Sequence, residues 1–243
     1  MAGGFFDTLG FLTRLAPARV IPEAAMNRCI AWMPAVGLAL GAAVALPFWL
    51  GLLAKAPWVQ AWLMLALAVY LTRGLHHDGL ADVCDAVTTH GDPDRFWSVI
   101  KDSRSGAFGV IGLVLALGGG AALLHEMAQA RAFGAVVWCF VLGRCACVAL
   151  AYGVHHLARP GLGKLYMDGA TLRTALLAGA FALVSGFFLA GPLATVAGMA
   201  LAGLALVPLY RLAERVAGAN GDFLGCAVIL GELAGGLGFV LAL

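Results

Sequence analysis

The chain has 243 residues, 62% hydrophobic and only 12% charged, with 15 Lys and Arg against 13 Asp and Glu and a formal net charge of +2. A mean hydropathy of +0.94 lies far outside the range of soluble globular domains. So small a charge excess speaks against a nucleic-acid partner and leaves the lipid bilayer as the expected surroundings.

The expectation is an all-α, polytopic integral membrane helix bundle forming a single catalytic domain over 1–243, since no polar stretch is long enough to fold separately. The N-terminus has no Lys or Arg before Arg14, and Asp7 interrupts its short apolar stretch. It is therefore not expected to be a cleavable signal. A bilayer-crossing helix needs roughly 20 apolar residues. Spans are expected near 32–54, 57–72, 106–124, 132–157, 174–190, 193–210 and 222–243, with Gly191-Pro192 as the turn that splits the long fifth run.

Basic residues sort by loop. Arg14, Arg19 and Arg28 precede the first span; Arg73, Arg95, Lys101 and Arg104 separate the second from the third. Arg159, Lys164 and Arg173 separate the fourth from the fifth, and Arg211 and Arg215 the sixth from the seventh. The intervening loops hold only Lys55, Arg131 and the turn at 191–192. Positive residues stay inside, so the N-terminus and the rich loops are expected in the cytoplasm.

Interfacial helices are expected on that side. In "GDPDRFWSVIKDSR" Asp92 is placed as an N-cap with Pro93 in the first turn. Phe96, Trp97 and Ile100 then share a face suited to lying on a membrane. Segment 23–33 has the same character more weakly. Six cysteines without a CxxC pair argue against a disulfide framework or a thiolate zinc site.

Six of the 13 acidic residues fall between 78 and 102. In "GLHHDGLADVCDA", Asp78, Asp82 and Asp85 are spaced i, i+4 and i+7, one stripe of a helix. Carboxylates so placed repel one another unless a cation sits among them. Hard oxygen donors without cysteine companions suit Mg²⁺ or Mn²⁺; a solvated acidic face is the competing reading. His76, just before the stripe, is suited to orient a carboxylate or move a proton.

In "IKDSRSGAFG", Lys101 and Arg104 flank Asp102, and cations beside an acidic site point to a phosphate-bearing substrate. Arg159 in "ARPGLGK" is a further candidate for such an anion. In "GANGDFLG", Asp222 opens the last span on the side of the stripe. Glu232 lies ten residues on, roughly 15 Å deeper, and Arg144 is inside the fourth span. Both readings stay open there, a functional site or an Arg144–Glu232 ion pair.

Taken in order, "FLTRL", "LHHDGLADVCDA", "KDSRSGAFG", "RPGLG" and "NGDFLG…GEL" resemble the cobalamin-5′-phosphate synthase family, also called adenosylcobinamide-GDP ribazoletransferase, from about Phe11 to the C-terminus. The resemblance implies a Mg²⁺-dependent enzyme of the bacterial cytoplasmic (inner) membrane that completes the nucleotide loop of cobalamin. It would join adenosylcobinamide-GDP to α-ribazole or its 5′-phosphate and release GMP, with the site facing the cytoplasm.

Family positions are matched by His76, Asp78, Asp82, Asp85, Lys101, Asp102, Arg104, Asp222 and Glu232. On this reading Asp78, Asp82, Asp85 and Asp222 hold metal, and Asp82, Asp85 and His76 are catalytic. Lys101, Asp102, Arg104, Arg159 and Glu232 contact substrate. Asn220, Ala86 and Ile229 depart from the family's commoner threonine, glycine and glutamate. A homo-oligomer, or association with other corrinoid-pathway enzymes, is left open. The rivals are a phosphotransferase of lipid synthesis using CDP-alcohols and an ion-coupled transporter built on Asp222, Glu232 and Arg144.

Overall fold

A computed structural model describes residues 4–18, 20–89 and 92–243. Arg19, counted above among the basic residues, and Gly91 lie outside the described residues. Within them the chain is helical, with one isolated parallel bridge between Ala158 and Ala219. Two short helices, α1 (Phe5–Leu12) and α2 (Glu23–Met26), precede α3 (Met33–Trp49). Then follow α4 (Pro57–Thr72), α5 (Leu75–Ala86), α6 (Pro93–Ile100), α7 (Ala107–Gln129) and α8 (Phe133–Val154). The chain ends with α9 (Leu162–Met167), α10 (Leu172–Leu189), α11 (Pro192–Arg215) and α12 (Gly221–Val240).

Six helices among the described residues are long and apolar enough to cross a membrane, or seven if α4 and the helix after it count as one bent span. The sequence spans therefore correspond to α3, α4, α7, α8, α10, α11 and α12. The expected ends at 124 and 210 fall short, because α7 runs to Gln129 and α11 to Arg215. Hydrogen-bonded helix continues past the apolar run, and Arg215 in the last turn of α11 suits the negative end of the helix dipole.

α8 and α12 pack against each other at the centre, with α3, α10 and α11 around them. Trp138 of α8 is wholly buried and donates from its indole to the Ala182 carbonyl of α10 at 2.9 Å. The outer helices keep Leu115, Leu176, Phe188, Leu193 and Leu204 exposed. In water so much bare apolar surface would favour association; around a membrane bundle it is the face that meets lipid.

Alternating directions bring the first residues of α7, α10 and α12 to the same end as the last residues of α4, α8 and α11. α1, α5, α6 and α9 gather at that end. The interfacial face expected on α6 is used differently. Asp92 does cap it, accepting from the Arg95 amide at 3.2 Å, but Phe96 and Trp97 are buried inside the protein. Their rings pack on Phe223 of α12, with centroids 5.9 and 6.2 Å away. The Trp97 indole donates to the Val216 carbonyl at 2.9 Å, a polar partner that lipid could not supply.

Candidate active site

The site is organised by a break in the chain. Arg73 and Gly74 both adopt left-handed backbone, at φ 57° and 69°, and there α4 ends and the chain turns by 90° into α5. Glycine takes this conformation at no steric cost; at Arg73 it is held by tertiary contacts. The Arg73 guanidinium donates to the Phe11 carbonyl. Arg14 returns the link, donating from its amide to the Leu71 carbonyl at 2.8 Å and from Nε to the Tyr70 carbonyl at 3.0 Å. "FLTRL" is thus the clamp on the α4–α5 corner.

α5 then lies against the start of α12. A Cβ on Gly79 would stand 2.9 Å from both the Cα and the carbonyl oxygen of Asp222, so only glycine permits this approach. Asp222 occupies the first turn of α12. Its amide donates to the side-chain oxygen of the N-cap Asn220 at 3.2 Å, and its carboxylate accepts from the Asn220 amide group at 2.7 Å. Stripe and last helix therefore meet at the end where the span order places Asp222.

The carboxylates differ in their surroundings. Asp78 is exposed, whereas Asp82, Asp85 and Asp222 are half-buried. Burial, then the Asp222, Asp78 and Asp85 charges, pushes the Asp82 carboxyl up to about 6. His76 is buried, and that burial, with the nearby Arg144 charge and His77, holds its pKa well below the usual imidazole value. It is a neutral group in this setting.

Asp85 has a defined partner set. Its two oxygens accept the amides of Gly106 and Gly109, each at 2.7 Å. These are the N-cap and an early residue of α7, whose amides have no acceptor within their own helix. Asp85 thus moors the "SGAFG" segment to α5.

Asp78, Asp222 and His76 line one cavity of about 180 Å³, whose other walls include Phe11, Leu162 and Tyr166. Among the described residues, no three His, Cys, Asp or Glu side chains converge closely enough to form a ready-made metal cage. The donors nevertheless fit Mg²⁺, which is usually bound by one or two carboxylates, substrate phosphates and waters. The donor set is hard oxygen throughout, and the burial and neighbouring charges that raise the Asp82 carboxyl are what a bound cation would offset.

The predicted substrate contacts lie around this centre unevenly. Arg104 grips Asp102 through Nε at 2.9 Å and a terminal nitrogen at 2.6 Å, out in solvent. These hydrogen bonds hold the Asp102 carboxyl down at about 2. Lys101 is exposed at the end of α6. Arg159 stacks over the Trp97 ring at 4.3 Å, and its amide donates to the Ala219 carbonyl at 2.8 Å. It therefore braces the loop that leads into Asp222.

Glu232 is not brought to the aspartates. It pairs with Arg144 inside the bundle, so of the two readings left open for these residues the ion pair is the one formed. Sequence reasoning missed Phe11 and Tyr166, whose rings stack at 5.7 Å in the cavity wall. For Phe11 the "FLTRL" motif was the available signal; Tyr166 carried none.

Fold and site together define a helical integral membrane protein in which Asp78 of α5 and Asp222 of α12 line one cavity. The cobalamin-5-phosphate synthase family model matches residues 4–240, and the chain belongs to that family. An adenosylcobinamide-GDP ribazoletransferase of Nitratidesulfovibrio vulgaris (strain DSM 19637 / Miyazaki F) is 49% identical over 233 residues, covering 96% of this chain and 93% of its own length. A protein of the same name from Nitratidesulfovibrio vulgaris (strain DP4) is 42% identical, covering 90% of this chain and 89% of its own. One from Klebsiella pneumoniae (strain 342) is 33% identical with full coverage of both chains. No solved structure matches the chain.

Proposed function

We propose that this protein is the membrane transferase that joins adenosylcobinamide-GDP to α-ribazole or α-ribazole 5′-phosphate, giving adenosylcobalamin or its 5′-phosphate and GMP. The observation that carries the reading is the meeting of Asp78, Asp82 and Asp222 across the α5–α12 contact, beside a cavity open to substrate. Release of GMP fixes the bonds. A ribazole hydroxyl oxygen bonds to the phosphorus on the cobinamide side, the P–O bond between the two phosphates breaks, and the guanosine phosphate leaves with that oxygen.

Asp78, Asp82 and Asp222 would hold Mg²⁺, or Mn²⁺ in its place, and the bound ion would offset the charge of the diphosphate as it is cleaved. Asp82 is the better-placed group to take the hydroxyl proton, since both oxygens of Asp85 already accept amides. Asp85 then acts by holding the α6–α7 segment, which presents Lys101 and Arg104. Those two cations bind substrate phosphate, with Arg104 exchanging its Asp102 partner for it. Buried, neutral His76 orients the cavity side of the aspartates. Arg159 positions the Asp222 loop.

The basic loops support a cytoplasmic-facing site in a bacterial inner membrane, where nucleotide substrates are available. Cysteine labelling from each side of oriented vesicles tests this, and reaction of positions 92–104 only from the outside would overturn it. The acids gathered at one end of the bundle fit an enzyme better than a transporter, whose ionisable groups concentrate at mid-membrane.

The direct test uses purified protein in liposomes, supplied with both substrates, with and without Mg²⁺. Mg²⁺-dependent appearance of GMP together with the cobalamin product is expected. Folded protein that forms neither refutes the proposal.

A further inference from the structure

The cavity beside the aspartates has a chemical polarity of its own. Phe11, Met33, Leu162, Tyr166 and Leu224 form an apolar and aromatic body, and Asp78 and Asp222 stand at one end. Its volume, about 180 Å³, is below the roughly 300–1,000 Å³ of a pocket that encloses a whole drug-sized ligand. It suits one flat ring system. The buried Tyr166 hydroxyl, beside the Cys29 thiol, makes no well-formed hydrogen bond within the protein.

Three ring systems take part in the proposed reaction. The corrin macrocycle with its rim of amides is far too large for this space. Guanine carries a carbonyl, a ring N–H and an amino group on one edge; its donors would occupy Asp78 and Asp222, and the apolar walls hold no partner for its carbonyl and ring nitrogens. The dimethylbenzimidazole of α-ribazole is a flat, apolar bicycle whose unsubstituted ring nitrogen is a hydrogen-bond acceptor. Its body matches the apolar walls, of which the Tyr166 ring is one.

We infer that this cavity seats the benzimidazole base of the ribazole substrate, with Leu162 and Tyr166 determining how well the base fits. The inference rests on the transferase reading above. It also gives the site a direction: a base held among Phe11, Tyr166 and Leu224 carries its ribose at the polar end, so the attacking hydroxyl emerges between Asp78 and Asp222.

The test is steady-state kinetics in proteoliposomes, varying each substrate separately for the wild type, Leu162→Trp and Tyr166→Phe. Leu162 is 59% exposed at the rim, so tryptophan there fills the cavity without disturbing the core. Leu162→Trp should raise the KM for α-ribazole 5′-phosphate by about tenfold or more, the discrimination typical of a changed apolar pocket, with the KM for adenosylcobinamide-GDP unchanged. Tyr166→Phe keeps the ring that walls the cavity and should leave both KM values near wild type. Wild-type turnover with no change in ribazole KM in Leu162→Trp overturns the base seat alone. A rise confined to the adenosylcobinamide-GDP KM also overturns it, assigning the cavity to the other substrate. A wild type that forms no product overturns this inference together with the transferase reading.

Discussion

Breaking the Arg144–Glu232 pair separates a structural ion pair from a substrate contact. Arg144 is 1% exposed, whereas the Glu232 side chain retains 20% beside a small internal cavity. Removing one partner of a buried pair typically costs about 3–5 kcal/mol, while replacing both by apolar groups is close to neutral. The two single changes should differ. Glu232→Leu strands a guanidinium that cannot shed its proton and should cost about 3–5 kcal/mol. Arg144→Met leaves a carboxyl that can be neutralised by protonation, so its cost should be nearer 1–3 kcal/mol, that of one unsatisfied buried group.

The double variant should recover most of the loss, giving a coupling energy of about 2 kcal/mol or more. Equilibrium unfolding in mixed micelles with SDS measures all three. Turnover per folded molecule should stay near wild type, because Glu232 lies roughly 15 Å along the helix from Asp222. Two results would refute the reasoning: an arginine variant at least as destabilised as the glutamate variant, or a stable Glu232→Gln protein that has lost turnover.

Other consequences follow at the α5 contacts. Asp82→Asn should abolish turnover while leaving membrane insertion and thermal stability unchanged; a well-folded, fully active variant would remove Asp82 from the site. Gly79→Ala places a methyl 2.9 Å from the Asp222 backbone and should cost about 1–3 kcal/mol as overpacking. Its turnover should fall further than its stability explains, as activity assays beside thermal unfolding would show. Asp85→Ala removes the acceptor of two α7 amides, at about 0.5–2 kcal/mol for a lost helix cap. Faster hydrogen exchange at 106–109, with the rest of α7 protected, is the expected signature.

The spans were legible because lipid allows so few solutions. Every backbone polar group must be satisfied within its segment, so long apolar runs had to be helices, and Gly191-Pro192 had to be a turn. Asp78, Asp82 and Asp85 were legible as one stripe from helical periodicity alone. The direction of that stripe was not, since nothing local in "TRGLH" distinguishes a loop from a left-handed pair that turns a helix by 90°. Phe96 and Trp97 were read as facing a membrane, because an amphipathic pattern does not say whether its apolar side meets lipid or Phe223. Tyr166 was invisible for a related reason: in so apolar a chain, one more aromatic carries no pattern. Asp85 showed its charge but not its donors, the amides 21 and 24 residues further along.

The perpendicular α5 also accounts for how so apolar a chain carries its carboxylates. On an uninterrupted span, each aspartate near mid-membrane would cost about 2.5–3.5 kcal/mol. Turning at Arg73-Gly74 moves the stripe to the end of the bundle, where α4 stops and α7 and α12 begin. Helix N-termini favour negative charge, and the stripe meets two of them. Asp85 takes the free amides of α7, and Asp222 sits in the first turn of α12. These hydrogen bonds anchor Asp85 and Asp222, yet they leave Asp78 exposed and Asp82 half-buried among like charges. Asp85 and Asp222 fix the geometry through these hydrogen bonds, and on the transferase reading Asp78, Asp82 and the remaining oxygen of Asp222 would take the cation. A chain that needed acidity only to stay soluble at the membrane surface would have no use for that division, whereas cleavage of a diphosphate requires both parts of it.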